Sequence, residues 1–323
     1  MEKKVIECSN LNYSYTSYEK KQGLKGTLAD FFKREKIQID AIKDINLTIY
    51  EGEIVGLLGS NGAGKTTLIK LLTGILEKKS GEISCLGSNP FNRRKEYLKN
   101  IGVLFGQKSQ LIWDLPPMDT LYMLKEMYNV STSVFEENIK ELFNILDLHQ
   151  WKDTPVRKLS LGQKTKFDLV CTLFYSPKIV FLDEPTIGLD INSQNQIHKF
   201  LLEVNKKKKT TIILTSHYIK DIEKLAERVV IISKGEKKED CSIADLSNKF
   251  KVKNSYIIES KNGELPFLQD EEMIVSQIND LTFKITLFSG TLKSINLDLA
   301  NILSIREDTP NLEDILSEIF LEV

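Results

Sequence analysis

A glycine-rich octapeptide restricts the fold of this chain more than any other feature of its sequence. The segment reads Gly59-Ser60-Asn61-Gly62-Ala63-Gly64-Lys65-Thr66 and fits the pattern G-x-x-x-x-G-K-[ST]. The pattern is informative when a strand precedes it and a helix follows it. Here Ile54–Leu58 predicts the strand and Lys65–Leu72 predicts the helix. We therefore expect the strand-loop-helix unit from which parallel α/β sheets are built.

This loop predicts a binding site for a nucleoside triphosphate. Its glycines let the backbone form a concave nest of inward-pointing N–H groups, and the helix N-terminus adds a partial positive charge. Lys65 is expected to reach the β- and γ-phosphates, and Thr66 is expected to bind Mg²⁺. A turn that only joined a strand to a helix would not need these two residues. The predicted nucleotide contacts in this segment are Gly59, Ser60, Asn61, Gly62, Ala63, Gly64, Lys65, Thr66 and Thr67.

An apolar strand that ends in two carboxylates supplies the second part of the predicted site. Residues 179–182 are Ile-Val-Phe-Leu, and Asp183 and Glu184 follow them directly. The carboxyl ends of parallel strands form the ligand-binding edge of open α/β sheets, so these side chains should lie beside the glycine-rich loop. Asp183 is suited to hold Mg²⁺, and Glu184 is suited to polarise the water that attacks the γ-phosphate. In isolation, two solvated carboxylates would be the default interpretation.

Short β-branched runs alternate with helical patterns up to about residue 240, which predicts an α/β domain with a mainly parallel sheet. Its predicted strands are residues 53–58, 101–105, 178–182, 211–215 and 228–233. Beyond Ser242 the pattern changes to alternating strands at 255–259 and 282–287, followed by an amphipathic helix at 311–320. We therefore expect a large domain at 1–240 and a small α/β accessory domain at 241–323.

Charge and hydropathy limit the class of partner. The chain has 44 basic and 45 acidic side chains, and its net charge of -1 argues against a broad electrostatic contact with nucleic acid. Its longest apolar runs, such as 179–182 and 229–232, are far shorter than the ~20 residues of a membrane-spanning helix. Glu7 interrupts the N-terminal region before a secretory signal could form, so we expect a cytoplasmic chain. The four cysteines are scattered and are expected to be reduced thiols.

With two further motifs, the loop and the acidic strand resemble the nucleotide-binding subunits of ABC transporters over about residues 1–240. Leu159-Ser160-Leu161-Gly162-Gln163 is similar to the family's signature sequence, with leucine where the third residue is usually glycine. Gly188-Leu189-Asp190 is similar to its D-loop. The resemblance implies a P-loop NTPase cassette with a helical subdomain that binds ATP with Mg²⁺ and hydrolyses it. It also implies nucleotide contacts for Ser160, Gly162, Gln163 and Asp190.

Three single residues match the same family. Gln107 is similar to the Q-loop glutamine, which implies contact with the metal or the attacking water. His217 is similar to the switch histidine, which implies contact with the γ-phosphate. Tyr15, more than Tyr13, is similar to the aromatic residue that stacks on adenine. The resemblance thus implies catalytic roles for Glu184, His217 and Gln107, and metal binding by Thr66, Asp183 and Gln107.

The resemblance also implies partners. Two copies would bind ATP between the phosphate loop of one and the signature of the other, so a homodimer suffices, although a heterodimer stays open. Membrane-spanning permease subunits are the expected partners and nucleic acid is not, with the chain at the cytoplasmic face of the cell membrane. A narrower resemblance, to bacterial exporter ATPases of the viologen and drug type, is carried by residues 106–116, an insertion at about 16–37 and the C-terminal extension.

Two segments leave alternatives open. Leu111, Ile112, Trp113 and Leu115 follow Gln107 closely. They predict either a docking groove for a helix of the membrane subunit or a tryptophan packed into the helical subdomain. The insertion predicts a short helix from about residue 27, which either packs on the domain or contacts a membrane subunit or lipid.

Two other functions compete with that of a transporter motor. A soluble ABC ATPase that acts on nucleic acid, ribosomes or cofactor assembly would use the same chemistry. The near-neutral charge, the single cassette and the absence of zinc-ligand cysteines argue against it. A catalytically inactive regulatory cassette conflicts with the presence of Lys65, Asp183, Glu184 and His217.

Overall fold

The computed structural model of the chain describes residues 3–18, 36–106, 108–216, 219–250, 254–264, 273–287 and 297–308. The chain divides into two compact units, Met1–Cys241 and Ser242–Val323. Gln107 and His217 lie outside the described residues, as do the helices predicted from about residue 27 and at 311–320. Within the described residues, none of the helices has the length and apolar character that crossing a membrane would take.

The first unit alternates strands and helices along the chain. Its strands are β1 (Lys4–Tyr18), β2 (Lys36–Tyr50), β3 (Ile54–Leu58), β4 (Ser80–Cys85), β5 (Ile101–Phe105), β6 (Ile179–Asp183), β7 (Thr211–Thr215), β8 (Arg228–Ser233) and β9 (Glu236–Ser242). Its helices are α1 (Lys65–Leu72), α2 (Lys95–Lys99), α3 (Pro117–Tyr128), α4 (Thr132–Leu146), α5 (Leu161–Leu173), α6 (Ile191–Lys208) and α7 (Ile219–Leu225). Short 3₁₀ turns lie at Pro90–Asn92, His149–Trp151 and Val156–Lys158.

Six strands of the described chain form the main sheet, in the order β5-β6-β7-β3-β8-β9. The first five of these run parallel to one another. All residues of β3 and β7 are buried, as expected for parallel strands that helices cover on both faces. The carboxyl ends of β3, β6 and β7 therefore meet at one edge of the sheet, where the chain continues into residues 59, 184 and 216. This confirms the predicted α/β fold.

A smaller antiparallel sheet has the order β2-β1-β4. β1 and β2 pair from Lys4↔Tyr50 to Tyr18↔Lys36. Residues 16–18 and 36–37, at the two ends of the insertion expected at about 16–37, are paired strand residues. The physical reason is the alternation of isoleucine with polar residues from Lys36 onward, which favours an extended backbone.

A helical subdomain lies between β5 and β6. Helix α4 buries Phe135, Ile139, Leu142, Phe143 and Leu146, which recur at the spacing of one helical face. Aromatic rings join it to α5 and the residue that follows α5. The ring centroids of Phe143 and Phe167 are 5.6 Å apart, and those of Phe135 and Phe174 are 5.7 Å apart, both pairs nearly perpendicular. Such edge-to-face contacts add to the stabilisation from burial, so the subdomain holds α5 on a rigid support.

The second unit contains helix α8 (Ile243–Phe250) and an antiparallel sheet. The strands are β10 (Asn254–Ser260), β11 (Met273–Asn279), β12 (Thr282–Leu287) and β13 (Ile302–Asp308), in the order β11-β12-β10-β13. Its core contains Ile258, Met273, Ile285 and Leu287. Alternate residues of β12 are buried, as expected for a sheet with one covered face.

Candidate functional site

The glycine-rich loop connects β3 to α1. A β-carbon at Gly59 would lie 2.3 Å from the backbone oxygen of Ile232. Gly64, at the N-cap of α1, has a φ of 115°, and a β-carbon there would lie 2.6 Å from the backbone oxygen of Ala41. Both positions require glycine, because any side chain would collide with neighbouring backbone. The loop thus packs against its surroundings while the N-terminus of α1 stays directed toward the site.

Lys65 lies across this loop. Its Nζ donates to the backbone oxygen of Gly59 at 2.6 Å and to that of Ser60 at 3.1 Å. The residue is 6% exposed. Burial lowers the pKa of Lys65 below its usual value, and the nearby carboxylates of Glu184 and Asp183 oppose that shift. The ammonium group is therefore held in the loop, close to two acidic side chains.

Asp183, the last residue of β6, is held by hydroxyl groups from two other elements. Thr66 Oγ1 donates to Asp183 Oδ2 at 3.0 Å, and Thr215 Oγ1, at the end of β7, donates to Asp183 Oδ1 at 2.7 Å. Thr215 was not predicted from the sequence. It could have been found from the rule that neighbouring parallel strands end at the same edge.

The hydroxyl of Thr66 and the carboxylate of Asp183 fit a Mg²⁺ site. Mg²⁺ prefers oxygen ligands and is usually held by one or two carboxylates together with substrate phosphates. Clusters of three or more acidic, histidine or cysteine side chains suited to a metal are absent from the described part of the chain. A Mg²⁺ ion here would therefore depend on phosphate oxygens for further ligands.

Glu184 follows Asp183 in a constrained backbone conformation. Its φ is 57°, in the left-handed region that residues other than glycine rarely occupy. Its N–H donates to the backbone oxygen and to the Oγ1 of Thr215, both at 3.1 Å. These contacts with the end of β7 fix the backbone of Glu184 beside the glycine-rich loop.

Two clefts flank the glycine-rich loop, and Glu184 and Thr66 line both. The first has a volume of about 400 Å³. Its lining includes Tyr15, Ile39, Asn61, Gly62, Ala63, Gly64, Lys65 and Thr67. The second has a volume of about 780 Å³, and Tyr13, Tyr15, Thr67, Gly106 and Asp183 line it. Tyr15, which is 46% exposed, is therefore available to stack on a base, and the structure adds Ile39, its partner across β1 and β2.

The predicted Q-loop begins at this site. The N–H of Gly106 donates to the backbone oxygen of Asp183 at 2.7 Å. A β-carbon on Gly106 would lie 2.7 Å from the backbone oxygen of Glu184. The chain therefore reaches position 107 in contact with both acidic residues.

The signature and D-loop residues meet at the N-termini of α5 and α6. Ser160 Oγ accepts from the N–H of Gln163 at 3.2 Å, and Gln163 Oε1 accepts from the N–H of Ser160 at 2.8 Å, which forms a capping box. Asp190 caps α6 through the N–H of Ser193 at 3.0 Å, and hydrogen bonds from Ser193 lower the pKa of Asp190. A β-carbon on Gly162 would lie 2.6 Å from Ser193 Oγ, so the two helix ends are in close contact.

These residues stand apart from the clefts. Among the described residues that line either cleft, none belongs to the signature 159–163, and Asp190 is not among them. The structure therefore brings together the glycine-rich loop, Tyr15, Asp183 and Glu184, but not Ser160, Gly162, Gln163 or Asp190.

A buried carboxylate that the sequence did not indicate connects three segments around the site. Asp221, on α7, accepts hydrogen bonds from Thr186 Oγ1 in the β6–α6 loop and from Ser216 Oγ at 2.9 Å. His198 Nε2, on α6, lies 3.0 Å from Asp221 Oδ1. Burial opposes ionisation, but the hydrogen bonds outweigh it and lower the pKa of Asp221. Asp221 thus ties the segment before the D-loop to the residue that precedes position 217.

Comparison with known proteins agrees with this geometry. The family model described as ABC transporter matches residues 42–187. The ABC transporter ATP-binding protein NatA of Bacillus subtilis (strain 168) is 32% identical over 205 residues, which cover 64% of this chain and 83% of that protein. An uncharacterised ABC transporter ATP-binding protein of Methanocaldococcus jannaschii is 32% identical over 238 residues, covering 74% of this chain and 82% of that one.

Solved structures show the same fold. A structure titled as the ATP-binding subunit of an ABC transporter superposes with a TM-score of 0.64 at 24% identity, covering 76% of this chain and 93% of that one. The structure of cbiO1 from Clostridium perfringens, part of the ABC transporter complex cbiONQ, gives a TM-score of 0.60 at 25% identity. It covers 77% of this chain and 94% of that one.

Proposed function

Since the chain belongs to the family of ABC transporter ATP-binding proteins, we propose that it is the motor subunit of a transporter whose membrane-spanning part is a separate polypeptide. It binds ATP and hydrolyses it. The observation that carries the proposal for its chemistry is the position of Glu184, which lines both clefts next to Lys65 and Thr66.

Residues of the two clefts have different roles in binding MgATP. The N–H groups of the glycine-rich loop and the ammonium of Lys65 bind the phosphates, and Tyr15 stacks on the base. Thr66 and Asp183 would hold Mg²⁺, with Gln107 as a further predicted ligand. When bound, the ion would neutralise developing charge on the phosphate oxygens. Placing Lys65 among buried groups strengthens its attraction for phosphate, because the local dielectric constant is low.

Glu184 is the proposed general base. Its carboxylate orients the attacking water and accepts a proton from it, while His217 is the predicted contact of the γ-phosphate. The fixed backbone of Glu184 keeps the carboxylate at the loop without a large entropic cost at each turnover.

Replacing Glu184 tests this role. Glu184→Gln keeps the size of the side chain and removes the base, so steady ATP turnover should fall by about 100-fold or more while ATP still binds. Turnover and ATP affinity should be measured together, with Glu223→Gln, an exposed residue of α7, as the matched control. Normal turnover in Glu184→Gln would remove Glu184 from the role of base.

A second copy is the proposed source of the missing signature contacts. The signature does not line the clefts of its own chain, and two apolar side chains at the starts of α5 and α6 are exposed. Leu161 is 55% exposed and Ile191 is 73% exposed. Because an exposed apolar patch of this kind marks a contact surface, we infer that Ser160 and Gly162 complete the ATP site of a partner copy. Size-exclusion chromatography of Glu184→Gln with and without ATP checks this, since only the ATP-bound protein should dimerise.

The proposed permease contact is the docking segment, which we define as residues 109–115. Ile112, Trp113 and Leu115 in this segment are 39%, 59% and 40% exposed. Tyr122, Met123 and Met127 of α3 add further exposed apolar surface to the helical subdomain. Trp113 is therefore mostly exposed, which favours the docking hypothesis over the alternative of a buried tryptophan. Binding there would hold the chain at the cytoplasmic face of the membrane.

Trp113→Ala tests the contact. It should abolish the stimulation of ATPase activity by the membrane protein that co-purifies with the chain, while basal turnover of the isolated chain stays within about twofold, since the side chain is mostly exposed. Leu202→Ala, an exposed apolar residue of α6, is the control. Full stimulation of Trp113→Ala would contradict docking at this segment.

Fractionation of native cells distinguishes a transporter motor from a soluble ABC ATPase. The chain should sediment with membranes together with one or two polytopic proteins. A cytosolic chain that travels with ribosomes or nucleic acid would leave the ATPase chemistry intact and overturn the transporter assignment. Export, which the narrower resemblance implies, stays a prediction that transport assays in vesicles of known orientation would test.

A further inference from the structure

The docking segment lies along α5, which we call the signature helix because it begins within the signature 159–163. The backbone N–H groups of Val156 and Arg157 donate to the backbone oxygens of Leu115 and Trp113, each at 3.0 Å. Lys164 Nζ lies 4.4 Å from the centroid of the Trp113 ring, a cation–π contact. One face of the docking segment is therefore exposed while the other contacts α5 and the 3₁₀ turn Val156–Lys158 that precedes the signature.

The most buried of these contacts is made by Asp168. This residue lies on α5, two turns after Ser160, and is 5% exposed. Its Oδ1 accepts from Ser109 Oγ at 3.0 Å and from the N–H of Gln110 at 2.8 Å. Two residues that follow Gln107 closely are thus fastened to the signature helix by a single carboxylate oxygen.

Thr172, one turn further along α5, adds a second attachment. The side-chain amide of Gln110 donates to Thr172 Oγ1 at 3.0 Å, and Thr172 Oγ1 donates to the backbone oxygen of Asp168 at 2.8 Å. Gln110 is therefore held by its backbone through Asp168 and by its side chain through Thr172. Asp168 and Thr172 are both buried, and the hydrogen bonds that they share with the segment resist deformation, so we expect the segment and the helix to move together.

Burying a carboxylate costs free energy that an apolar side chain at the same position would not cost. Burial raises the pKa of Asp168 to about 6, while hydrogen bonds from Gln110, Ser109 and Leu111 oppose that rise. The groups that offset the burial are hydrogen-bond donors of the docking segment, so the ionised side chain is satisfied only while that segment stays in contact with α5. Breaking the contact would leave the buried carboxylate without these donors, so the contact favours one position of the segment on α5.

We propose that Asp168 is a positioning residue that links the docking segment to the signature helix, so that movement at the permease contact changes the position of Ser160 and movement of Ser160 changes the docking segment. The proposal rests on the proposed function, because it takes the docking segment as the permease contact and Ser160 as a nucleotide contact. Asp168 itself is buried and lines neither cleft, so it acts through other residues.

Trp113 is a built-in probe of this link. The chain has two tryptophans, so Trp151→Phe leaves Trp113 as the sole one. The parent protein carries Trp151→Phe and Glu184→Gln, which blocks hydrolysis. Adding MgATP should change the Trp113 emission of the parent as the signature helix closes on nucleotide. Asp168→Asn in this background should reduce the change by about fivefold or more, with ATP affinity within about twofold. A loss of coupling with retained affinity is not expected from a residue that only supports the fold.

Three further variants guard against a folding defect. Ser109→Ala removes one bond to Asp168 and leaves the carboxylate, so it should weaken the emission change in the same direction. Glu136→Gln, an exposed carboxylate of α4, should leave the change intact. If Asp168→Asn does not fold, Ser109→Ala and Thr172→Val decide the question. An undiminished emission change in the folded variants, or a parent that binds ATP without any change, would overturn the proposal. A parent that binds no ATP would instead contradict the proposed function.

Discussion

At the residue scale, burial shifts the pKa values of Lys65 and Asp168 in opposite directions. It lowers the pKa of Lys65 and raises that of Asp168, because in each case the uncharged form is favoured. Two carboxylates oppose the lowering of the pKa of Lys65, whereas N–H and O–H donors oppose the raising of the pKa of Asp168. The two residues therefore respond differently to pH and to mutation.

Asp168 should make the stability of the cassette depend on pH. Its pKa is about 6 in the folded chain against 3.8 for an ordinary aspartate, so the folded state binds more protons between these values. Stability from this group is then greatest below pH ~4 and falls as pH rises through ~6, by about 3 kcal/mol in total. The amide introduced by Asp168→Asn does not titrate, so the wild type should lose stability relative to this variant over the same range. Melting temperatures of both proteins at pH 4.5 and pH 7 measure the difference, and parallel changes would contradict it.

Gly59→Ala should be far more damaging than an alanine at an open glycine. The new β-carbon would lie 2.3 Å from the backbone oxygen of Ile232, which cannot move without disturbing the end of β8. We expect the free energy of unfolding to fall by roughly 3 kcal/mol or more, with no measurable ATP binding. Gly87→Ala is the matched control, because Gly87 has a positive φ of 74° but no atom within 4 Å of the added carbon. It should cost about 1 kcal/mol and leave ATP binding unchanged. If chemical denaturation gives equal losses of unfolding free energy for the two variants, backbone strain rather than the contact with Ile232 determines the loss.

At the element scale, the strands around the site could be predicted from local sequence. Predicted strands at 101–105, 211–215, 228–233 and 282–287 coincide with β5, β7, β8 and β12, and the predicted helix 65–72 coincides with α1. The predicted strand at 53–58 begins one residue before β3, and the predicted strand at 178–182 begins and ends one residue before β6. Continuous apolar runs bounded by glycine, aspartate or serine carry this information in a few adjacent residues.

Other elements depend on contacts that local sequence does not record. β1 and β2 are long, half-polar strands whose stability comes from pairing with each other across residues 19–35. The contacts of Asp168 with Ser109 and of Asp221 with Thr186 join residues that are 59 and 35 positions apart. An isolated aspartate within a helix has no local feature that indicates such a partner. The glycine-rich loop, Asp183 and Glu184 could be predicted from the sequence, but the two carboxylates that connect separate segments could not.

Asp221 joins elements rather than contacting the site directly, so its loss should alter turnover more than binding. Asp221→Asn keeps the size of the side chain and removes the charge that His198, Thr186 and Ser216 stabilise. We expect kcat to fall about tenfold while the KM for ATP stays within about threefold, because the phosphate loop is unaffected. Asp153→Asn, an exposed residue, is the control. A rise in KM without a change in kcat would show that Asp221 acts on nucleotide binding instead.

At the scale of the whole molecule, the nucleotide site lies within the first compact unit. All the described residues that line the two clefts belong to Met1–Cys241. A fragment of residues 1–242, which retains the whole of β9, should therefore fold and bind ATP with an affinity within about threefold of the full chain. Isothermal titration of both proteins measures this. A fragment that is folded by circular dichroism but binds ATP 100-fold more weakly would assign the second unit a part in the site.

Glu184 also bears on the stability of the whole molecule. Its left-handed backbone, with a φ of 57°, lowers the free energy of unfolding by about 1 kcal/mol for most residues that have a β-carbon. The cost is smaller for asparagine and almost nothing for glycine. Stability alone would therefore favour glycine or asparagine at position 184, and the proposed role as general base accounts for the glutamate there. In a lineage that came to use this cassette as a passive clamp, position 184 is where relaxed selection should first become visible.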